Sequence, residues 1–160
     1  IDGGEGQHGS FVICARTDAK SVEGMDAVIE RAAAYIEAGA DMIFPEGLGS
    51  EEEFGRVAEA LRGVGGGPAP GGGPFLLANM TEFGRTPIIP LSRFAELGYH
   101  AVIWPVSTLR IAMGAVDRFL SDLKGSGHVE GSIDAMMTRE ELYAALGYTP
   151  GEAWDCPPDQ

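Results

Sequence analysis

Four short apolar runs, separated by segments with helical spacing, constrain the fold of this chain more than any other feature. The runs are "FVICA" (11–15), "DMIFP" (41–45), "FLLAN" (75–79) and "HAVIWPV" (100–106). Because they are continuously apolar rather than alternating, they are typical of strands buried on both faces of a parallel sheet. The chain is therefore predicted to be an α/β protein.

Helical patterns fill the intervals between the runs and continue after the last of them. Apolar spacing and capping residues predict five helices, near 25–36, 50–61, 91–97, 109–123 and 138–146. Gly39 is a predicted C-terminal cap for the first helix, while Ser50 with Glu53 and Thr138 with Glu141 have the spacing of capping boxes. The Gly- and Pro-rich segment 63–74 is expected to form a flexible surface loop.

A polar residue recurs near the end of each apolar run. Arg16, Glu46, Asn79 and Arg110 are separated by 30, 33 and 31 residues. A strand and a helix of this combined length form the repeating unit of a (β/α)₈ TIM barrel, of which the chain would hold about half. We expect residues 1–127 to form this half-barrel and residues 128–160 a C-terminal helical segment and tail. A doubly wound open sheet would bind its ligand at the same strand ends, so the spacing fits both architectures.

The amino-acid composition indicates which binding partners are improbable for this chain. Acidic residues outnumber basic ones 24 to 11, giving a formal net charge of -13, which disfavours binding to nucleic acid or to anionic membranes. No apolar run reaches the length of a membrane span. The two cysteines, Cys14 in a predicted core strand and Cys156 in the tail, do not indicate a disulfide framework, and we expect a reducing, cytoplasmic environment.

The polar residues at the strand ends indicate the kind of ligand. Two arginines, an amide and a carboxylate suggest a small polycarboxylate, because an arginine fork matches carboxylate oxygens bidentately. Glu46 has three possible roles at this stage: holding a metal-bound water, accepting a substrate hydroxyl proton, or orienting an arginine.

Several longer strings resemble the 2-methylisocitrate lyase family, within the isocitrate lyase and phosphoenolpyruvate mutase superfamily. They are "ARTDA" (15–19), "FPE" (44–46), "LLANMTEFGRTP" (76–87), "WPVSTLRIAM" (104–113) and "MMTREELYAALGY" (136–148). The resemblance implies the second half of a (β/α)₈ TIM barrel, strands five to eight, followed by C-terminal helices. It also implies that Glu46 is catalytic and that the substrate is bound by Arg16, Glu46, Asn79, Met80, Thr81, Arg110 and Arg139.

The reaction implied by the resemblance is the cleavage of 2-methylisocitrate to pyruvate and succinate in propionate catabolism. The family uses Mg²⁺, which would stabilise the enolate as the carbon–carbon bond breaks. It also implies a homo-oligomer, tetrameric at full length, in the cytoplasm or in the mitochondrial matrix of a eukaryote.

The chain departs from the family pattern in lacking two of its motifs, and its Gly- and Pro-rich segment 63–74 is also longer than the family's usual short connection. The family's catalytic cysteine segment and metal-binding aspartates belong to the first four strands and have no counterpart here; Cys14 is expected to be a core residue instead. We therefore expect the chain alone to be inactive. Two alternatives stay open: a phosphoenolpyruvate mutase or oxaloacetate hydrolase-like enzyme of the same superfamily, or a non-catalytic half-barrel that acts as an assembly module.

Overall fold

The computed structural model of the protein describes residues 11–152. These residues form two compact units, which divide between Thr108 and Leu109. Four parallel strands in sequential order make the sheet: β1 (Cys14–Thr17), β2 (Met42–Pro45), β3 (Phe75–Asn79) and β4 (Ala101–Ile103). The helices between them are α1 (Met25–Glu37), α2 (Glu51–Leu61) and α3 (Leu91–Leu97). The predicted α/β fold with a parallel sheet is confirmed.

One face of the sheet packs against the helices. Ile43, Leu76 and Ala78 alternate along β2 and β3 and join a single buried cluster with residues of α1, α2 and α3. Phe54 of α2 and Phe94 of α3 meet edge to face at 5.0 Å between ring centroids. This core fixes the positions of the strand ends at which the polar residues lie.

The opposite face of the sheet is much more exposed. Met42 pairs with Cys14, and Phe44 pairs with Arg16, at positions that alternate with the buried ones. Cys14 is exposed, so the prediction that it is a core residue is wrong. The pattern of apolar residues suggested burial on both faces, whereas the helices of the first unit cover only one. β1 also begins later than the run "FVICA" predicted, and Phe11 is 78% exposed.

The helix ends follow the capping residues closely. The hydroxyl of Ser50 accepts a hydrogen bond from the Glu53 backbone N–H at 3.3 Å, but the Glu53 carboxylate accepts from the N–H of Gly49 rather than from that of Ser50. At α5 (Arg139–Leu146) both halves of the box formed by Thr138 and Glu141 are present. The predicted N-termini of α2 and α5 are therefore confirmed.

The Gly- and Pro-rich segment folds back on itself. Residues Val64–Gly66 form a 3₁₀ turn, Ala69 is buried, and the Ala69 N–H donates to the carbonyl of Gly73 at 3.0 Å. A Cβ atom added to Gly73 would lie 2.7 Å from the Leu61 carbonyl oxygen. The composition predicted a flexible loop, but the glycines serve here to allow close backbone packing.

The second unit is helical. α4 (Ser107–Ser126) runs into it from the first unit, and a 3₁₀ helix (Glu130–Ala135) and α5 follow. None of the described residues of this unit is buried. The predicted boundary at residue 127 differs from the division between the compact units and stays a prediction. Among residues 11–152, no helix is both long and apolar enough to cross a membrane.

Candidate active site

Three of the predicted site residues lie at the carboxyl ends of adjacent strands. Arg16 is the third residue of β1, Glu46 follows the last residue of β2, and Asn79 is the last residue of β3. The strands are parallel and neighbouring, so these ends meet at one edge of the sheet, where α/β proteins bind their ligands.

Hydrogen bonds connect Glu46, Asn79 and Thr81. The Asn79 amide donates from Nδ2 to Glu46 Oε2 at 3.2 Å, and the Thr81 hydroxyl donates to Asn79 Oδ1 at 2.9 Å. The other oxygen of Glu46 accepts from the Gly47 N–H at 3.1 Å. Because a carboxylate only accepts and the amide has one donor end, this arrangement fixes the orientation of Asn79.

The guanidinium group of Arg16 contacts a carboxylate and an aromatic ring. Its Nε and Nη2 donate to the two carboxylate oxygens of Asp18 at 2.9 and 2.8 Å. The guanidinium carbon lies 5.0 Å from the centre of the Phe44 ring, and Nη1 lies 3.4 Å from Glu46 Oε2. The two terminal nitrogens also form an end-on edge, which is the edge that pairs with carboxylates bidentately.

The charges at this edge stabilise one another. Hydrogen bonding to Arg16 lowers the pKa of Asp18 below its ordinary value, and the same bonds raise the pKa of Arg16. Arg16 is half exposed, and Glu46 is more buried, with 24% of its side chain accessible. The edge thus presents a permanently cationic guanidinium flanked by two carboxylates, Asp18 and Glu46.

Residues 80–90, which follow β3, are anchored by contacts to other parts of the edge. The Thr86 hydroxyl donates to the Leu48 carbonyl at 2.5 Å, and the Ser107 hydroxyl pairs with the Glu82 carboxylate. Met80 is fully buried, and its sulfur accepts from the Ile89 N–H. Any contact between Met80 and a substrate would therefore have to come from its main chain.

The remaining two predicted site residues lie in the second unit. Arg110 is in the first turn of α4, and Arg139 is the first residue of α5; both side chains are exposed. Their place in the substrate pocket stays a prediction.

A magnesium site does not form from these residues. Within residues 11–152 there is no group of three or more histidine, cysteine, aspartate or glutamate side chains placed to hold a metal ion. Glu46, the carboxylate at the centre of the edge, already accepts from Asn79 and Gly47. Hard cations such as Mg²⁺ need several oxygen ligands, so the described residues do not fit this ion by themselves.

The sequence did not predict two residues of the site, Asp18 and Phe44. Both contact Arg16, one at the edge of the guanidinium and one at its face. A signal for Asp18 was present: it is two residues after Arg16, and an aspartate at this spacing can reach the same side of an extended chain. Phe44 is the cross-strand partner of Arg16, which only the register between β1 and β2 reveals.

The fold and this polar edge define a class: α/β proteins that bind small ligands at the carboxyl ends of parallel strands. A family model described as "Phosphoenolpyruvate phosphomutase" matches residues 3–124. The chain belongs to this family, within the isocitrate lyase and phosphoenolpyruvate mutase superfamily.

Individual relatives carry lyase and hydrolase names. The chain is 49% identical over 146 residues to the probable 2-methylisocitrate lyase 1 of Corynebacterium glutamicum, covering 91% of this chain and 45% of that protein. It is 46% identical to the 2-methylisocitrate lyase of Bacillus subtilis, again over 91% of this chain and 45% of the relative. The structure of oxaloacetate acetylhydrolase in complex with its product oxalate superposes with a TM-score of 0.72 at 32% identity, over 86% of this chain and 43% of that chain. The chain thus spans about half the length of the curated relatives it matches.

Proposed function

We propose that the chain forms strands five to eight of a (β/α)₈ barrel in an enzyme that cleaves 2-methylisocitrate to pyruvate and succinate. Curated relatives at 46–49% identity bear the name 2-methylisocitrate lyase, which supports the reaction. The half-barrel is supported by the four parallel strands in sequential order and by the exposed sheet face that includes Cys14 and Arg16. In a closed barrel that face would line the interior.

The observation that carries this proposal is the network of Arg16, Glu46 and Asn79 at one edge of the sheet. 2-Methylisocitrate has three carboxylates, and Arg16 keeps an end-on pair of N–H donors for one of them. Its other edge and one face are occupied by Asp18 and Phe44. A half-exposed arginine fixed in this way is oriented before the substrate arrives, which lowers the entropic cost of binding.

The other site residues take the following roles in the proposed enzyme. Glu46 is the catalytic carboxylate at the centre of the edge; its contacts with Asn79 and Arg16 orient it. Asn79 and Thr81 bind substrate oxygen atoms from the same network, and Arg110 and Arg139 pair with further carboxylates. The proposed enzyme also depends on Mg²⁺, and residues outside the range 11–152 supply the ligands of the ion.

The test is a substrate comparison with the full-length protein that carries this sequence. Release of pyruvate from 2-methylisocitrate is measured in the presence of Mg²⁺, against oxaloacetate and phosphonopyruvate at the same concentrations. The expected result is that kcat/KM for 2-methylisocitrate exceeds that for the other two. A preference for either of them, or no turnover of 2-methylisocitrate, would refute the proposed substrate.

A second candidate function, hydrolysis of oxaloacetate, is favoured by the structural similarity to oxaloacetate acetylhydrolase. Oxaloacetate has two carboxylates, so an arginine at the strand edge would serve it equally well. In the same comparison this function predicts acetate and oxalate as the products from oxaloacetate and no cleavage of 2-methylisocitrate.

A further inference from the structure

Asp18 pairs with Arg16, but its side chain neither caps a helix nor lies in the core. It precedes the 3₁₀ turn Ala19–Ser21 as N-cap residue, yet its side chain makes no capping hydrogen bond there. Its side chain is 60% exposed. Ion pairs between groups this exposed contribute little to folding stability.

The geometry of the pair is nevertheless specific. Asp18 uses both carboxylate oxygens, and it binds the side of the guanidinium formed by Nε and Nη2. Asp18 therefore binds the side edge and not the end-on edge, at which a ligand carboxylate would pair; Nη1, which belongs to the end-on edge, also lies 3.4 Å from Glu46 Oε2. Phe44 packs against the face of the same group. Together the two contacts restrict the rotation of the guanidinium group.

We propose that Asp18 is a positioning residue, which holds the Arg16 guanidinium with its end-on edge toward the carboxylate of the substrate. This proposal rests on the proposed role of Arg16 in substrate binding. It assigns Asp18 no contact with the reacting atoms. Its contribution is to remove rotamer freedom from a long, half-exposed side chain before the ligand binds.

Two effects of removing Asp18 oppose each other, and their magnitudes decide the outcome. Loss of a negative charge would favour an anionic ligand, but the charge is exposed and therefore strongly screened by water and salt. Loss of orientation costs about 0.5–1.5 kcal/mol for one rotamer-rich side chain, which corresponds to a roughly two- to tenfold weaker binding. A rise in KM would show that orientation is the larger effect and a fall that the lost charge is, so the sign of the change in KM distinguishes the two.

The experiment uses the full-length protein with 2-methylisocitrate and compares Asp18→Ala, Asp18→Asn and a control, Asp26→Ala. Asp26 is a matched control because it pairs with Arg56 on the surface of the same unit. We expect Asp18→Ala to raise KM about two- to tenfold with kcat nearly unchanged. Asp18→Asn keeps one acceptor for the guanidinium and should give an intermediate KM, while Asp26→Ala should match the wild type. Urea midpoints of all three should stay close to that of the wild type.

Several results would overturn the proposal. An unchanged or lowered KM in Asp18→Ala, or an equal rise in Asp26→Ala, would show that Asp18 does not position the arginine. A loss of stability in Asp18→Asn that accounts for the change in activity would assign Asp18 a structural role instead.

A direct binding measurement separates this proposal from the proposed reaction. Calorimetric titration with succinate, a plain dicarboxylate, reports on Arg16 whatever chemistry follows. If the wild type binds succinate but does not cleave 2-methylisocitrate, only the proposed reaction fails. Weaker succinate binding by Asp18→Ala then supports the positioning role, and unchanged binding refutes it. If the wild type binds neither compound, both proposals fail.

Discussion

Asn79 forms hydrogen bonds at both ends of its amide group and thereby links Thr81 to Glu46. Its oxygen accepts from Thr81 and its nitrogen donates to Glu46. Nη1 of Arg16 lies 3.4 Å from the carboxylate, so Glu46 also helps to orient this arginine, in addition to the catalytic role proposed for it. A single row of polar side chains, from Thr81 through Asn79 and Glu46 to Arg16 and Asp18, thus spans the ends of three strands.

A second residue-scale feature is the close backbone packing at Gly73. The Cβ of an alanine there would lie 2.7 Å from the Leu61 carbonyl oxygen and 3.1 Å from the Gly63 nitrogen, and neither backbone group can move freely. We expect Gly73→Ala to lower the free energy of unfolding by about 1–3 kcal/mol, as overpacking generally does. Urea unfolding followed by circular dichroism measures this.

The control for Gly73 is Gly125→Ala in α4. A Cβ atom at Gly125 would meet nothing within 4 Å, and its φ is not in the left-handed region. Alanine favours helices over glycine by about 1 kcal/mol, so this variant should be as stable as the wild type or more stable. Equal stability of Gly73→Ala and the wild type would mean that the segment is as flexible as its composition suggests.

At the scale of elements, Glu53 fastens the start of α2 to the turn after β1. Its carboxylate accepts from the Gly49 N–H at 2.7 Å and pairs with Lys20 at 2.7 Å. Desolvation raises the pKa of Glu53, but the bond from Gly49 and the charge of Lys20 outweigh it, so the pKa is lowered overall. The ionised form of Glu53 therefore stabilises the folded state.

The pH dependence of stability follows from that shift. A carboxyl group with a lowered pKa in the folded state contributes stability above its unfolded pKa, and this contribution is lost as the pH falls through the folded value. We expect Glu53→Gln to reduce the loss of stability between neutral and acidic pH. Urea midpoints measured from pH 7 downward test this, with Glu59→Gln, an exposed position on the same helix, as control. Parallel pH profiles for wild type and Glu53→Gln would contradict the assignment.

At the scale of the whole molecule, the sequence predicted the alternation of strands and helices better than any other feature. Glu46 and Asn79 come together because a parallel sheet aligns the ends of consecutive strands, and their spacing alone implied it. The contacts of Arg16 were not predictable in the same way, since the pairing with Asp18 and Phe44 depends on a side-chain rotamer and on strand register. Cys14 was misjudged because an apolar pattern does not show which face of a sheet its neighbours cover.

The measurement that tests the account most directly compares Arg16→Gln with Arg62→Gln in the full-length protein, using kcat/KM for 2-methylisocitrate. Arg62 is an exposed arginine at the C-terminal end of α2, so its replacement controls for the loss of one positive charge. Loss of charge-assisted hydrogen bonds worth about 1.5–3 kcal/mol predicts a roughly 10- to 100-fold decrease for Arg16→Gln and no change for Arg62→Gln. An Arg16→Gln enzyme that keeps the activity of the wild type would contradict the proposal that the active site lies at this edge of the sheet.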